Sequence, residues 1–349
     1  MSRPPRLLVA TDTLAGGMGY LAMAQAAWFR ERGWDVRIAV PGRHAIGEDQ
    51  PPIGDVLESI SIPETARDLP GIVRSVRETR SLIRSWRPDI IHCHGARAFG
   101  IVRFATARSS FVTLHGTGSV PSDPPGWTFV RRLSVGLLPA LSIEAYSVAP
   151  GLGAGWTFLP HASPRLRTLD EIPFPARSSK PTFVWLGALD ERKQPEVFIR
   201  AVAALPSDRR VRAVIAGRGA TVDELKALAA ELGIDVDFVG HRSDVEALLA
   251  EAWAIVLFSR YEGVPFALEE AMWAGRPVIA TPHPGVVWLL GGTGRLAETA
   301  DEVAAAMEEL SDHDLAEAEG HRAALQVRDA IDPEAPWTTV EAAYRRVLS

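Results

Sequence analysis

The chain has 349 residues, 47% of them hydrophobic and 23% charged, with a net charge of -6. That is apolar material for about two packed domains, and the mild acidity excludes the strong basic field of a nucleic-acid binder. A single cysteine, Cys93, excludes an internal disulfide and a cysteine zinc cluster. A reducing, cytosolic location is expected, because no run has the length of a membrane span or of a signal segment.

Strand and helix signals alternate along the chain. Leu7-Leu8-Val9-Ala10 reads as a buried strand, followed by Gly16-Gly17-Met18-Gly19 and a helical stretch carrying Leu21, Ala24 and Trp28 on one face. Gly33 stops that helix, and Val36–Val40, Asp89–His92, Phe111–Leu114 and Trp156–Leu159 follow as strands. Proline and serine without periodicity at 166–180 read as a linker. The alternation then restarts with strands at Thr182–Leu186, Val211–Ala216, Val236–Val239, Ala254–Phe258 and Pro277–Ala280. Helices are expected over Glu196–Leu205, Val222–Leu232 and Phe266–Trp273, with a last one over Trp337–Leu348 that shows Val340, Ala343, Tyr344 and Val347 on one face.

Continuous apolar strands suit parallel sheets covered on both faces. The expected fold is therefore α/β, with two doubly wound Rossmann-like domains and an interdomain cleft. Domain bounds are expected at 1–165 for the first, 181–330 for the second, and 331–349 for a terminal helix returning to the first.

Ligands of such sheets gather at the carboxyl ends of the strands, and four loops there carry candidate chemistry. Gly16 and Gly17 lead into a helix, where backbone amides can approach a phosphate. The spacing is not that of a dinucleotide fingerprint, and a tight turn explains it equally. His115 ends a strand and suits a sugar or phosphate contact, whereas His92 reads as structural. Neither has acidic partners at metal-ligand spacing. Arg192 and Lys193 follow Gly187 at another strand end, and Lys193 can meet a diphosphate as a point charge. In the fourth loop Glu262 precedes a helix that carries Glu270, with seven residues between them. Carboxylates accept paired hydroxyl hydrogen bonds. The amides of Gly263, Val264, Phe266 and Ala267 near the helix start can donate to others, while Pro265 cannot. Glu269 reads as plain solvent exposure.

These motifs together resemble the retaining glycosyltransferases of the GT-B fold, family 4 (glycosyltransferase group 1). The carriers are Glu262 to Thr281, Gly16-Gly17 with Arg32 to Val36, Arg87 to His92, Thr113 to Gly116, and Phe238 to Gly240. The resemblance implies metal-independent transfer of a hexosyl group from a nucleotide diphosphate sugar to an acceptor hydroxyl, with retention. No cofactor is implied beyond that co-substrate, and no Asp-x-Asp-like motif sits at a strand end.

It also implies roles. Glu270 would bind the ribose, and Glu262 with the amides after it would hold the hexose. Lys193 would neutralise the leaving diphosphate, which itself deprotonates the acceptor. Gly17 would approach the diphosphate, His115 would contact the sugar near the reacting carbon, and Gly240 and His241 would pack against the base. Two departures stand out: Ala188 replaces the usual arginine, with Arg192 a candidate substitute, and Leu159-Pro160-His161-Ala162-Ser163 replaces an Asn-Gly turn. An epimerase acting on a nucleotide sugar, or a sugar-nucleotide-binding protein without catalysis, are the alternative readings. The acceptor (sugar, lipid-linked sugar or small metabolite) is not readable. Loops 41–55 and 117–130, with Trp127, Phe129, Arg131 and Arg132, are candidates for it or for peripheral membrane contact.

Overall fold

The structure, a computed structural model, describes residues 3–14, 16–41, 57–60, 68–108, 110–115, 136–148, 150–151, 153–177, 180–206 and 211–349. The chain forms two compact units, one of residues 1–161 and 334–349 and the other of 162–333. The loop residues 42–55 and 117–130, with Trp127 and Phe129, lie outside the described residues, as do Gly116, Arg131 and Arg132.

The first unit is built on strands β1 (Arg6–Thr11), β2 (Asp35–Pro41), β3 (Leu57–Ile60), β4 (Ile90–His94), β5 (Phe111–Leu114), β6 (Ala145–Ser147) and β7 (Trp156–Phe158). They form one sheet in the order β3-β2-β1-β4-β5-β6-β7, every pair parallel. Leu7, Leu8 and Val9 have no exposed surface, as strands covered on both faces require. Its helices include α1 (Gly16–Glu31), α2 (Leu69–Trp86) and α3 (Ala96–Ala105). Helix α2 starts where the Asp68 carboxylate accepts from the Gly71 amide at 2.9 Å.

The second unit holds β8 (Thr182–Leu186), β9 (Arg212–Ala216), β10 (Asp237–Gly240), β11 (Ala254–Leu257), β12 (Val278–Ala280) and β13 (Arg295–Leu296), in the order β10-β9-β8-β11-β12-β13 and again all parallel. Around it run α4 (Pro195–Ala204), α5 (Val222–Glu231), α6 (Val245–Glu251), α7 (Phe266–Trp273), α8 (Pro284–Leu290), α9 (Ala300–Glu309) and α10 (His313–Ala330). The chain ends in α11 (Ala335–Leu348), which packs in the first unit through Trp337, Val340, Ala343 and Tyr344. Val347, expected on that buried face, is 45% exposed.

The proline-rich stretch 166–180 is no free linker at its start. Leu166 and Leu169 are buried in the core of the second unit beside Leu268 and Met272. Its prolines break helix and strand, but its leucines still carry transfer energy. Arg276 fixes the stretch further. This arginine is 0% exposed and has no carboxylate partner among the described residues. Its guanidinium donates to the carbonyls of Leu249 (2.7 Å), Ile172 (3.1 Å), Ala274 (3.1 Å), Gly275 (3.2 Å) and Pro173 (2.7 Å). Burial lowers its pKa to about 10, so it is charged at neutral pH. The cation thus ties the ends of α6 and α7 to the incoming chain. Arg276→Met would orphan these acceptors, at ~1–3 kcal/mol for each that water cannot reach. We expect the unfolding free energy of the second unit to fall by at least ~3 kcal/mol in chemical denaturation; a loss below ~1 kcal/mol would show that the staple is dispensable.

Candidate functional site

In the second unit, the carboxyl ends of β8 to β12 are laced together by their loops. The Gly187 amide donates to Ala216 O at 3.1 Å, Leu189 N to Arg218 O at 3.0 Å, and Gly217 N to Gly240 O at 2.8 Å. Two glycines permit this closeness: a Cβ on Gly217 would stand 1.8 Å from Gly187 O, and one on Gly219 1.9 Å from Leu189 O. Gly240 itself adopts a φ of +70°, and it and His241 are exposed on this rim. The Arg260 amide donates to Arg192 O at 2.8 Å, seating the β8 loop against the β11 loop.

That seating brings the candidate charges together. Lys193 Nζ lies 2.5 Å from Glu262 Oε1, and Arg192 Nη1 lies 3.3 Å from the same oxygen. The Glu262 side chain is 9% exposed, that of Lys193 13%, and that of Arg192 31%. Asp190 orients the loop by accepting the Lys193 amide at 2.9 Å. Arg192, the candidate substitute for the missing arginine at 188, therefore stands beside Lys193. Gly263, Val264, Phe266 and Ala267 lie between Glu262 and the first turn of α7, whose N-cap is Pro265 and receives no side-chain cap. The first amides of a helix have no partner within it.

Glu270 is buried, and the structure shows what holds it. Ser163 Oγ donates to its Oε1 at 2.5 Å, and Arg165 Nη1 is 3.5 Å from Oε2. Burial raises its pKa, while Arg165 and Ser163 oppose the rise. Glu269 is not solvent-exposed, as its charge suggests, but 0% exposed. The Ser163 amide donates to its Oε2 at 2.6 Å, and Oε1 has no hydrogen-bond partner among the described residues. Burial drives its pKa well up, against the Ser163 amide and with the neighbouring Glu270 charge. Ser163 and Arg165 were not sequence candidates. Ser163 lies in the stretch that replaces the expected Asn-Gly turn, which is the one signal that pointed toward it.

In the first unit, Gly16 (φ +66°) and Gly17 are exposed in the first turn of α1. His94 ends β4 and His115 follows β5, with His94 Nδ1 and His115 Nε2 2.8 Å apart. Burial lowers the pKa of both well below the usual imidazole value, helped by His92 and His161 at His94 and by His94 and His161 at His115. His92 is fully buried, with Nε2 2.7 Å from Thr113 Oγ1 and a pKa pushed down to about 3 by desolvation. Asp12, also missed in the sequence, caps α3 by accepting the Ala98 amide at 2.5 Å. Among the described residues, His313, Asp314 and Glu317 are the titratable groups close enough together for a metal. Asp314 is ion-paired to Arg177, and the trio lies on α10 rather than among the candidates above.

Two family models match the chain. "Glycosyl transferases group 1" covers residues 180–313, and "Glycosyl transferase 4-like domain" covers 16–148. A curated relative from Campylobacter jejuni is 32% identical over 160 residues, 43% of this chain and 43% of the relative. Its name describes an α-1,4-N-acetyl-D-galactosaminyltransferase acting on a saccharide carried by PP-undecaprenol. The chain thus aligns with less than half the length of that relative. Sucrose-phosphate synthase from Thermosynechococcus elongatus superposes with a TM-score of 0.83 at 18% identity, covering 99% of each chain. HepE from Anabaena, solved with UDP and glucose, gives a TM-score of 0.75 at 17% identity, covering 97% of this chain and 98% of that one. At these identities the two structures establish the two-domain Rossmann-like fold.

Glu269 leads to a pH-dependent stability. Its folded-state pKa is raised, so above the unfolded value of about 4.3 the native state binds more protons than the unfolded one. Stability then falls as pH rises. Glu269→Gln keeps an acceptor for the Ser163 amide and removes the ionisation. The variant should gain on the wild type progressively from pH 5 to pH 8 in urea titrations, roughly the span in which the unfolded carboxylate is ionised. A difference independent of pH would show that Glu269 is ionised in the folded protein.

Proposed function

We propose that this chain, which belongs to the glycosyltransferase family, moves a hexosyl group from a nucleotide diphosphate sugar to an acceptor hydroxyl, with retention and without a metal. The observation that carries the reading is the meeting of Lys193, Arg192 and Glu262 at the strand ends beside the α7 N-terminus. Two cations beside one carboxylate can exchange partners. A diphosphate takes Lys193 and Arg192, which frees Glu262 to accept sugar hydroxyls. The α7 dipole favours the negative charge.

As the glycosidic bond breaks, charge grows on the leaving phosphate. Fixed cations aimed there stabilise the transition state more than the ground state. The leaving phosphate oxygen takes the acceptor proton on the same face, so no side-chain nucleophile is needed. Glu270, already gripped by Ser163 and Arg165, is a pre-oriented acceptor for the ribose diol. His115 contacts the sugar near the reacting carbon, Gly17 approaches the diphosphate, and Gly240 and His241 border the base. Binding of UDP and glucose by the Anabaena protein supports UDP-hexose as the first donor to try.

Lys193→Ala and Glu270→Ala are each expected to lower kcat/KM by about 10²-fold or more with the active donor. Transfer should persist in EDTA. A screen of UDP, GDP and ADP sugars by thermal shift identifies the donor, since a ligand of the native state alone raises stability with concentration. Near-normal transfer in both variants would sink the site assignment.

For the acceptor we propose a lipid-linked saccharide, on the strength of the Campylobacter relative's name and of one face of the first unit. Among the described residues, no helix is long and apolar enough to cross a membrane. Helix α2 instead turns Arg74, Arg77, Arg80 and Arg84 outward with Leu69 and Val73, and Phe104 of α3 is 72% exposed nearby, its carbonyl accepting from Arg80 at 2.7 Å. Such a face suits an anionic bilayer surface. A cytosolic enzyme working at that surface completes the reading. The protein should pellet with phosphatidylglycerol vesicles and release in salt, and Arg77→Glu with Arg84→Glu should abolish pelleting while leaving the fold intact by circular dichroism. Equal pelleting of the double variant would remove this face from the proposal.

A further inference from the structure

His115 ends a chain of buried hydrogen bonds that reaches back to the last helix of the protein. Its Nε2 is 2.8 Å from His94 Nδ1, and His94 Nε2 is 2.5 Å from Gln25 Oε1. Gln25 Nε2 donates to the Tyr344 hydroxyl at 2.9 Å and lies 3.3 Å from His92 Nδ1. The Tyr344 hydroxyl is in turn 2.5 Å from His92 Nδ1, and His92 Nε2 is 2.7 Å from Thr113 Oγ1. Gln25, His92, His94 and Tyr344 are all buried.

The orientation of the Gln25 amide, nitrogen to Tyr344 and oxygen to His94, sets the direction of every bond in this chain. An amide oxygen only accepts, so His94 must carry its proton on Nε2. A neutral imidazole then has a lone pair on Nδ1, and His115 must donate to it from Nε2. His115 is left with an unprotonated Nδ1. On the other side, the amide nitrogen of Gln25 only donates, so the Tyr344 oxygen accepts from it and passes its own proton toward His92 Nδ1. Gln25 joins the two halves, its amide nitrogen donating to Tyr344 of α11 and its amide oxygen accepting from His94. Reversing that amide would reverse every bond and move the His115 proton to Nδ1.

We propose that Gln25 is a positioning residue for transfer: through His94 it fixes the His115 proton on Nε2, leaving Nδ1 to accept a hydrogen bond from a sugar hydroxyl, with Tyr344 accepting from its amide nitrogen. The proposal rests on His115 contacting the donor sugar, as read above. Gln25 itself touches only His94, His92 and Tyr344 among these groups. Its effect on turnover is therefore carried by the tautomer of a ring two bonds away. An acceptor nitrogen and a donor nitrogen select opposite partners on a substrate, so the wrong tautomer costs as much as a misplaced group.

The test pairs ring ¹⁵N spectra of histidine-labelled protein with steady-state kinetics, using His115→Gln to assign the His115 signal. Wild type should show the proton on Nε2 of His115. Gln25→Met, of similar length but unable to accept from His94, should give a mixture of tautomers and lower kcat by about 10²-fold with little change in KM. Tyr344→Phe removes one hydroxyl and should produce the same two changes in milder form. Gln25→Glu retains an oxygen for His94 and should restore both the Nε2 signature and most of kcat. A wild-type proton on Nδ1 overturns the proposal, and so does a Gln25→Met spectrum identical to wild type. A tautomer change with unaltered kcat overturns it as well. A wild type with the Nε2 signature that transfers hexose from no donor sinks the glycosyltransferase role of His115 and leaves the tautomer lock standing.

Discussion

A parallel strand cannot return to its neighbour through a two-residue turn; the chain must cross over through a helix, on one face of the sheet or the other. Both faces are thereby covered, and the strands are mostly apolar. In this protein the constraint operates twice. Leu7 to Val9 in one sheet and Phe183 to Trp185 in the other are almost without exposed surface. Chemistry is excluded from the middle of the sheets and collects at their carboxyl edges, where each strand hands over to a loop. Lys193, Glu262, Gly240 and His115 all stand at such an edge.

The polar groups that remain inside follow a second rule: they are matched to partners of fixed position. Arg276 is held by five backbone carbonyls and no acid, which spreads one charge over several dipoles rather than pairing it. Glu270 is matched by Ser163 and Arg165. The histidines of the first unit are neutral through burial, and neutrality lets each ring serve as donor on one side and acceptor on the other. Glu269 departs from that rule, with one oxygen satisfied and one without a partner among the described residues, and so do the buried Thr79 and Ser259 hydroxyls.

Much of the scaffold was legible in the sequence. Buried parallel strands are continuous apolar runs, so Thr182–Leu186 was readable to its ends, and Pro265 and Gly275 punctuate α7. Strands β6 and β13, with three and two residues, are too short to show any periodicity. The long helix α10 buries mainly small residues and so lacks an apolar stripe. The candidate charges were legible because a strand end followed by a cation or an acid is a local pattern. The partners were not. Glu269 looks like a surface acid, and what buries it is a backbone amide 106 residues away. Arg276 looks like a helix-end cation, and its partners are carbonyls, which carry no residue signature. Gln25 sits in an otherwise apolar helix face, where only the fold reveals that the side chains of His92, His94 and Tyr344 converge on it.

The division of the first unit between residues 1–161 and 334–349 has a consequence for synthesis. The sheet of that unit is made before the second unit, but the aromatic side chains of Trp337 and Tyr344 that close its core are made after it. Until then, Phe29, Trp34 and Phe111 lack the ring that packs against them, and the histidine chain lacks its anchor. The second unit, contiguous in sequence, can complete its core before the first does. The second unit can thus finish before the first, whose core waits for α11.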